Sequence, residues 1–465
     1  MNDPGKPKAG LLPLMMEMYK EFMPEMEKKQ SGFVQKVASM LGEQVEVQAA
    51  PIVCTKAEIR KAVHDFERDE VDLIVVLFVS YTPSAQVLPV LLDTRIPLLL
   101  FSTSPKRSMA ECMTMDDIML NHGVHGYMDL ANVLRRSGKD YRFTAGVFDD
   151  AHPYREIGLW GWAARVKSLL GESRVGIAGY TFDGMGDIAL DPTFLNARLG
   201  PEAVHVPLDL FGKCVKEVDE KRVIAENKRD RSRFDFEDAV DDEVLSISNR
   251  LYLGLADLVE DRALNAFTMH FQAVLQNPEI KTPPFYGITK LQEEGLAYAG
   301  EGDVLGAVGN LMLRYMFGDT IFTETFCPDF EGGRIVMGHM GESNPAFGVR
   351  TLVRRKNFVF GESKDPVVCD VEMEEGEATV LNLGLVEDNQ LQMVAYTGEV
   401  CGRIPGSKDI DMPYFHFKPH MKLDGFLEEY GRTGGTHHIG MTRGNRKEEL
   451  VRLAEIMGID IIVLD

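Results

Sequence analysis

The chain is poor in cysteine and in positive charge, and it has no long hydrophobic run; each shortage excludes something. Its six cysteines, Cys54, Cys112, Cys214, Cys327, Cys369 and Cys401, are scattered over 465 residues with no C-x-x-C pair. That excludes a disulfide-framed fold and a four-cysteine zinc site, and suits reduced thiols in a cytoplasmic protein. Lysine and arginine number 50 against 72 aspartates and glutamates, a formal charge of −22. So acidic a surface repels phosphate backbones, and no nucleic-acid partner is expected. Basic runs such as Lys228-Arg229-Asp230-Arg231 are short and mixed. The apolar stretches Leu73 to Val79 and Pro97 to Phe101 are far too short to cross a bilayer. The polar start Met1 to Lys6 is not followed by a signal-peptide pattern. No membrane partner is expected. Gly184-Met185-Gly186-Asp187 does not follow the G-x-G-x-x-G spacing, so no nucleotide cofactor is expected.

What is present is an ordinary globular mixture, 45% hydrophobic and 26% charged. At roughly 100–200 residues per domain the length suggests two to four domains. Val71 to Val79 (VDLIVVLFV) is a short, almost unbroken apolar run that suits a parallel strand buried on both faces. Lys56 to Arg68 places Ile59, Ala62, Val63 and Phe66 on one face of an amphipathic helix. Ile96 to Phe101 is the next strand. This alternation predicts a doubly wound α/β layer, with ligands beyond the carboxyl ends of the strands, where Ser80 to Ser84 and Ser102 to Pro105 lie. A second α/β unit is expected from Arg174, with Val175 to Tyr180 and Ala266 to His270 as strands. The charged stretch Val215 to Val244 reads as a solvated helix face. In the last third, Ala378 to Leu385 and Leu391 to Thr397 loosely alternate about Glu387-Asp388-Asn389-Gln390, a hairpin signature that predicts an antiparallel sheet. Lys447 to Met457 reads as a helix ended by Gly458, followed by a last strand, Ile459 to Leu464.

Three places carry candidate chemistry. Glu324 lies in Ile321-Phe322-Thr323-Glu324-Thr325-Phe326, where a buried carboxylate is costly unless paired or bound to a metal. Strand alternation could equally put it on the wet face. Glu342 lies in Gly338-His339-Met340-Gly341-Glu342-Ser343-Asn344-Pro345, a loop leaving the strand Arg334 to Met337; the alternative is an ordinary turn. Gly434-Gly435-Thr436-His437-His438 offers two adjacent imidazoles, of which at most one would ligate well. Two glutamates and a histidine make an oxygen-rich set suited to Mn²⁺ or another divalent cation.

At these residues the chain resembles the L-arabinose isomerase family and, more distantly, L-fucose isomerase. The resemblance rests on Gly300-Glu301-Gly302-Asp303 leading into a helix, Phe322 to Phe326, Gly338 to Glu342, Gly435 to His438 and the C-terminal helix and strand. Leu120-Asn121-His122-Gly123-Val124-His125-Gly126 resembles a loop that reaches a neighbouring subunit's site. The resemblance implies an L-fucose isomerase-like fold: two doubly wound α/β domains, 1–170 and 171–320, then a β-rich C-terminal domain, 321–465, completing the active site. It implies Glu324 and Glu342 as catalytic residues and, with His438, as metal ligands. It implies His122, His125 and His437 at the substrate, and a homotrimer or homohexamer with shared active sites.

The implied activity interconverts an open-chain aldose and its ketose, with L-arabinose to L-ribulose as the leading case and a related pentose or deoxyhexose beside it. One Glu would move a proton between C2 and C1 and the other between the two oxygens, while the metal holds those oxygens; a hydride shift could use the same groups. The family has a further ligand His beyond the second Glu. Here Arg354 to Gly361 contains none, and Asn357 stands nearest, with Lys356 beside it. A Lys there could pair with a carboxylate and replace some metal charge. His122 stands where arabinose enzymes are expected to carry a polar amide. Two alternatives follow from these departures: a catalytically silent or regulatory sugar-binding relative, and an epimerase on the same scaffold. His339 could touch substrate or merely support its loop.

Overall fold

The computed structural model describes residues 4–109, 113–360, 363–404 and 410–465. Cys112 and Gly361, named above, lie outside them. The chain forms two compact units, Pro4–Ser168 and one beginning at Leu169 and running to Asp465.

The first unit is built on a parallel five-stranded sheet of β1 (Lys8–Leu14), β2 (Glu46–Ala49), β3 (Leu73–Phe78), β4 (Leu98–Ser102) and β5 (Arg142–Ala145), in the order β2-β1-β3-β4-β5. Every residue of β3 is buried, as its unbroken apolar run predicts for a strand covered on both faces. The helix Lys56–Arg68 starts where Thr55 and Glu58 form a capping box, and it buries Ile59, Ala62, Val63 and Phe66. This is the doubly wound layer expected of the first third.

The second unit opens with β6 (Arg174–Ala178) and β7 (Glu202–Val206). After β8 (Asp235–Phe236), which joins another sheet, come β9 (Ala266–Met269) and β10 (Ala297–Gly300). The second parallel sheet runs β10-β9-β6-β7, so β6, β7, β9 and β10 repeat the order of the first four strands of the chain. Its last strand ends at Gly300, and the helix Val304–Phe317 follows three residues later.

The last third is strand-rich: β11 (Ile321–Asp329), β12 (Arg334–Gly338), β13 (Gly348–Arg355), β14 (Val367–Met373), β15 (Gly376–Leu385), β16 (Leu391–Cys401), β17 (Tyr414–Pro419), β18 (His438–Arg443) and β19 (Asp460–Leu464). The hairpin expected about residues 387–390 is β15–β16, antiparallel over its whole length. It closes a ring, because β15 also pairs with β18, β18 with β11, β11 with β12, β12 with β17 and β17 with β16. The result is an antiparallel barrel with β19 added parallel to β16. Closure removes the sheet edges that an open antiparallel sheet would expose. A cluster including Ile335, Met337, Val380, Tyr396, Phe417, Ile439 and Met441 forms its core. The helix Lys447–Met457 ends on Gly458 in the left-handed region, φ 65°, as its position predicts.

One expectation fails. The charged stretch 215–244 is not a single solvated face. It holds the end of one helix, the helix Glu220–Arg231, the strand β8 and the start of the helix Asp242–Asp261. Asp230 within it is fully buried. Lys290, buried with it, donates to both Asp230 oxygens at 2.9 and 2.8 Å and to Glu226 at 2.6 Å. Sparse apolar residues masked this pair, because a charge reads as solvated until its partner, 60 residues away, is known.

Candidate metal centre

Three neighbouring strands and one loop deliver the site, all within the second unit. In β11 the side chains alternate, so Phe322 and Glu324 share one face. Glu324 lies in register with His438 of β18 on one side and with Gly338 of β12 on the other. His339 follows Gly338 directly. The fourth contributor comes from the carboxyl end of β10, where Glu301 adopts φ 62° and Gly302 φ 78°. A glutamate in the left-handed region is strained and is held there by its surroundings. The N–H of Phe182 donates to Glu301 O at 2.9 Å and Thr181 Oγ1 to Gly302 O at 3.2 Å.

These elements bring Glu301, Glu324, His437 and His438 together, with one ligand atom from each lying within 4.8 Å of the others. That span is close to the roughly 4 Å that separates opposite ligands of a small octahedral dication. His438 Nε2 donates to Glu324 Oε1 at 2.9 Å and lies 3.6 Å from Glu301 Oε2. Its Nδ1 donates to Asp303 Oδ2 at 3.0 Å. Asp303 is itself fixed, since its Oδ1 caps the helix Val304–Phe317 by accepting the Gly306 N–H at 2.8 Å. Burial alone would push the His438 ring down. The hydrogen bond to Asp303, the Glu301 carboxylate 3.6 Å away and the hydrogen bond to Glu324 override that and hold it well above the ordinary imidazole value. Burial likewise favours neutral Glu324, but the adjacent His339 and the bond from His438 keep its carboxyl below the usual range.

His339 is the second buried imidazole. Its Nδ1 bonds Glu342 Oε2 at 2.5 Å, and its Nε2 faces Glu324 Oε1 at 3.6 Å. Against the effect of burial, Glu342 and Glu324 push it up to about 9. The other Glu342 oxygen accepts the Tyr298 O–H at 2.6 Å. Phe322 packs edge-on against Tyr298, His339 and His438, with centroids 5.8, 4.9 and 5.0 Å away. The ring of His339 lies so close to Gly300 that a Cβ there would come within 2.9 Å of its Cε1.

The donor set fits a divalent cation. Glu301 Oε2 and His339 Nε2 are both buried with no hydrogen-bond partner, and an orphaned buried polar atom calls for one. Four carboxylates, Glu301, Asp303, Glu324 and Glu342, converge on two imidazoles. The carboxylates outnumber the imidazoles, an excess of negative charge that a dication would offset.

The structure redistributes the residues picked out from sequence. It brings Glu324 and His438 together and places His437 beside them, half exposed, with Nδ1 3.0 Å from Asp187 Oδ2. It leaves Glu342 outside the four-residue group, one imidazole away. Asn357 is exposed, with its N–H donated to Asp411 Oδ2 at 3.0 Å; among the described residues no hydrogen bond joins its side chain to the cluster. Lys356 is buried and donates to the Asp411 carbonyl, not to a carboxylate of the site. His122 and His125 lie in the first unit, edge-to-face at 4.5 Å, with Tyr81 6.2 Å from His122. Sequence reading missed Tyr298, Glu301 and Asp303. Glu301 and Asp303 stood in a segment noted for its resemblance, and the usable signal was an acidic residue between two glycines just after a strand.

An antiparallel barrel is fused to a parallel α/β sheet, and carboxylates and imidazoles that could hold a metal ion converge where they join. The chain belongs to the L-arabinose isomerase family: residues 17–169 match its N-terminal domain and residues 319–460 its C-terminal domain. It is an enzyme of the intramolecular oxidoreductase class to which that family belongs. An L-arabinose isomerase of Nocardioides is 25% identical over 453 residues, covering 90% of this chain and 86% of the relative. One of Acidothermus cellulolyticus is 23% identical, covering 94% and 89%. One of Geobacillus thermodenitrificans is 24% identical, covering 89% and 85%. A periplasmic solute-binding protein of Actinobacillus succinogenes with bound D-allose aligns at 11% identity over 67% of this chain and 92% of its own, but its TM-score of 0.16 carries no argument.

Proposed function

We propose that the chain is a divalent-cation-dependent aldose–ketose isomerase, with L-arabinose to L-ribulose as its leading reaction. The observation that carries this reading is the convergence of Glu301, Glu324 and His438 beside a second buried imidazole whose Nε2 has no partner. Glu301, Glu324, His438 and His339 would hold the ion, and Mn²⁺ suits such a mixed oxygen and nitrogen set. A bound ion supplies Lewis-acid polarisation of the sugar's carbonyl and hydroxyl oxygens. His339 takes the role that the sequence reading gave to Asn357.

The residues themselves divide the remaining work. Glu324, held as a carboxylate by its two imidazole neighbours, is suited to take the C2 proton and return it to C1. The second carboxylate, which moves the hydroxyl proton, is better supplied by Glu301 than by Glu342. One Glu301 oxygen is unengaged, whereas both Glu342 oxygens already accept hydrogen bonds. His437, half exposed beside His438, would contact the sugar. His122 and His125 would reach a neighbouring subunit's site, in a homotrimer or homohexamer with shared sites. No helix of the described residues is long and apolar enough to cross a membrane.

The test is to strip the protein with a chelator, restore Mn²⁺, and screen aldopentoses and 6-deoxyhexoses for ketose, with Glu324→Gln as control. Metal-restored ketose that vanishes in the variant supports the reading and names the substrate. Tight sugar binding without turnover would replace it with a silent sugar-binding protein, and a product inverted at one centre with an unmoved carbonyl would replace it with an epimerase.

A further inference from the structure

We propose that Tyr298 is a positioning residue for this centre: through Glu342 it fixes the direction in which the His339 imidazole faces Glu324. The inference rests on the reading that His339 borders an ion site. Its evidence is a continuous chain of three buried side chains. The Tyr298 O–H donates to Glu342 Oε1 at 2.6 Å, and Glu342 Oε2 bonds His339 Nδ1 at 2.5 Å. Tyr298 is 1% exposed, and the side chains of Glu342 and His339 are 1% and 4% exposed. His339 Nε2, at the far end, has no hydrogen-bond partner and points to Glu324. In the neutral ring that a cation requires, a carboxylate accepting at Nδ1 leaves the lone pair at Nε2 and locks the ring's rotation.

Glu342 is a brace in this arrangement. Each of its oxygens is taken by one donor, and its backbone is pinned from outside the site. The helix Phe285–Glu293 holds the next residue at both of its peptide groups: Thr289 Oγ1 accepts the Ser343 N–H at 3.2 Å, and Gln292 Nε2 donates to Ser343 O at 3.1 Å. Gly341 rests against the Phe285 ring so closely that a Cβ would lie 2.2 Å from it. With the loop fixed, the remaining freedom of the Glu342 carboxylate is rotation about its own side chain. The Tyr298 O–H removes it, while the Tyr298 ring is held edge-on to Phe322.

Tyr298→Phe deletes the hydroxyl and keeps the ring. Mn²⁺ binding is measured by calorimetry on the full chain without sugar, so the outcome does not depend on any turnover. The expected result is a loss of about 10–100-fold in Mn²⁺ affinity, with an unchanged far-ultraviolet spectrum. Glu342→Gln should lose at least as much, and the double variant no more than Glu342→Gln alone, since both act through one imidazole. Tyr252→Phe is the control, because Tyr252 is also a buried tyrosine donating to a carboxylate, Glu294, at 2.5 Å; its affinity should equal the parent's. Wild-type affinity in Tyr298→Phe, strictly additive losses in the double variant, an equal loss in Tyr252→Phe, or a parent that binds no Mn²⁺ would each overturn the proposal. Mn²⁺ affinity that falls as expected in a protein that converts no sugar would uphold it and sink the isomerase reading instead.

Discussion

The two buried imidazoles solve one problem by different means. Each bonds a carboxylate through Nδ1 and turns Nε2 toward Glu324. His438 begins a barrel strand, and its partner Asp303 is tied to backbone at a helix N-terminus. Ladder hydrogen bonds and a helix cap fix both members of that pair. His339 lies just past the end of β12, and its partner Glu342 sits in a loop. That pair needs Tyr298, Thr289 and Gln292 to hold it. An imidazole on regular structure is held by backbone that exists for other reasons, whereas one on a loop needs side chains recruited for the purpose.

The comparison breaks most completely at the residue both imidazoles share. Glu324→Gln should cut kcat by about 10²–10⁴-fold, the usual worth of a positioned proton-transfer group, with melting within a few degrees of the parent. Retention of most activity would remove Glu324 from the chemistry. Asp303→Asn tests the His438 arm. It should weaken Mn²⁺ by about 10–100-fold, as the loss of an orienting carboxylate does, and an unchanged calorimetric affinity would show that the strand alone holds His438. Gly300→Ala tests the His339 arm sterically, since the added Cβ meets that ring at 2.9 Å. It should lower Mn²⁺ affinity by less than Asp303→Asn, and a larger loss would reverse the ranking of the two arms. Asn357→His should have the smallest effect. The exposed position predicts parent-like Mn²⁺ affinity, and tightened binding would return Asn357 to the ligand set.

Much of the architecture was legible because its signals are local. The run at 71–79, the helix face of Ile59, Ala62, Val63 and Phe66, and the hairpin about 387–390 each state their element within a dozen residues. Glu324 and His438 were legible as candidates because a charged or imidazole group among apolar and glycine neighbours needs a reason. Glu301 and Asp303 were not, because an acidic pair between glycines also describes any surface turn. The choice between Glu342 and His339 failed on spacing alone: three residues apart in a loop, either could have faced Glu324.

By itself, then, the sequence determined the periodicities, the order of α/β and β-rich regions, and the inventory of oxygen and nitrogen donors. Tertiary structure alone decided which donors meet. Closure of the barrel sets Glu324 between His438 and Gly338, and the end of β10 brings Glu301 and Asp303 to them from outside the barrel. Those meetings depend on strand pairings more than 100 residues apart, as between Glu324 and His438. No local pattern encodes such a pairing, because register is fixed by the packing of the whole sheet.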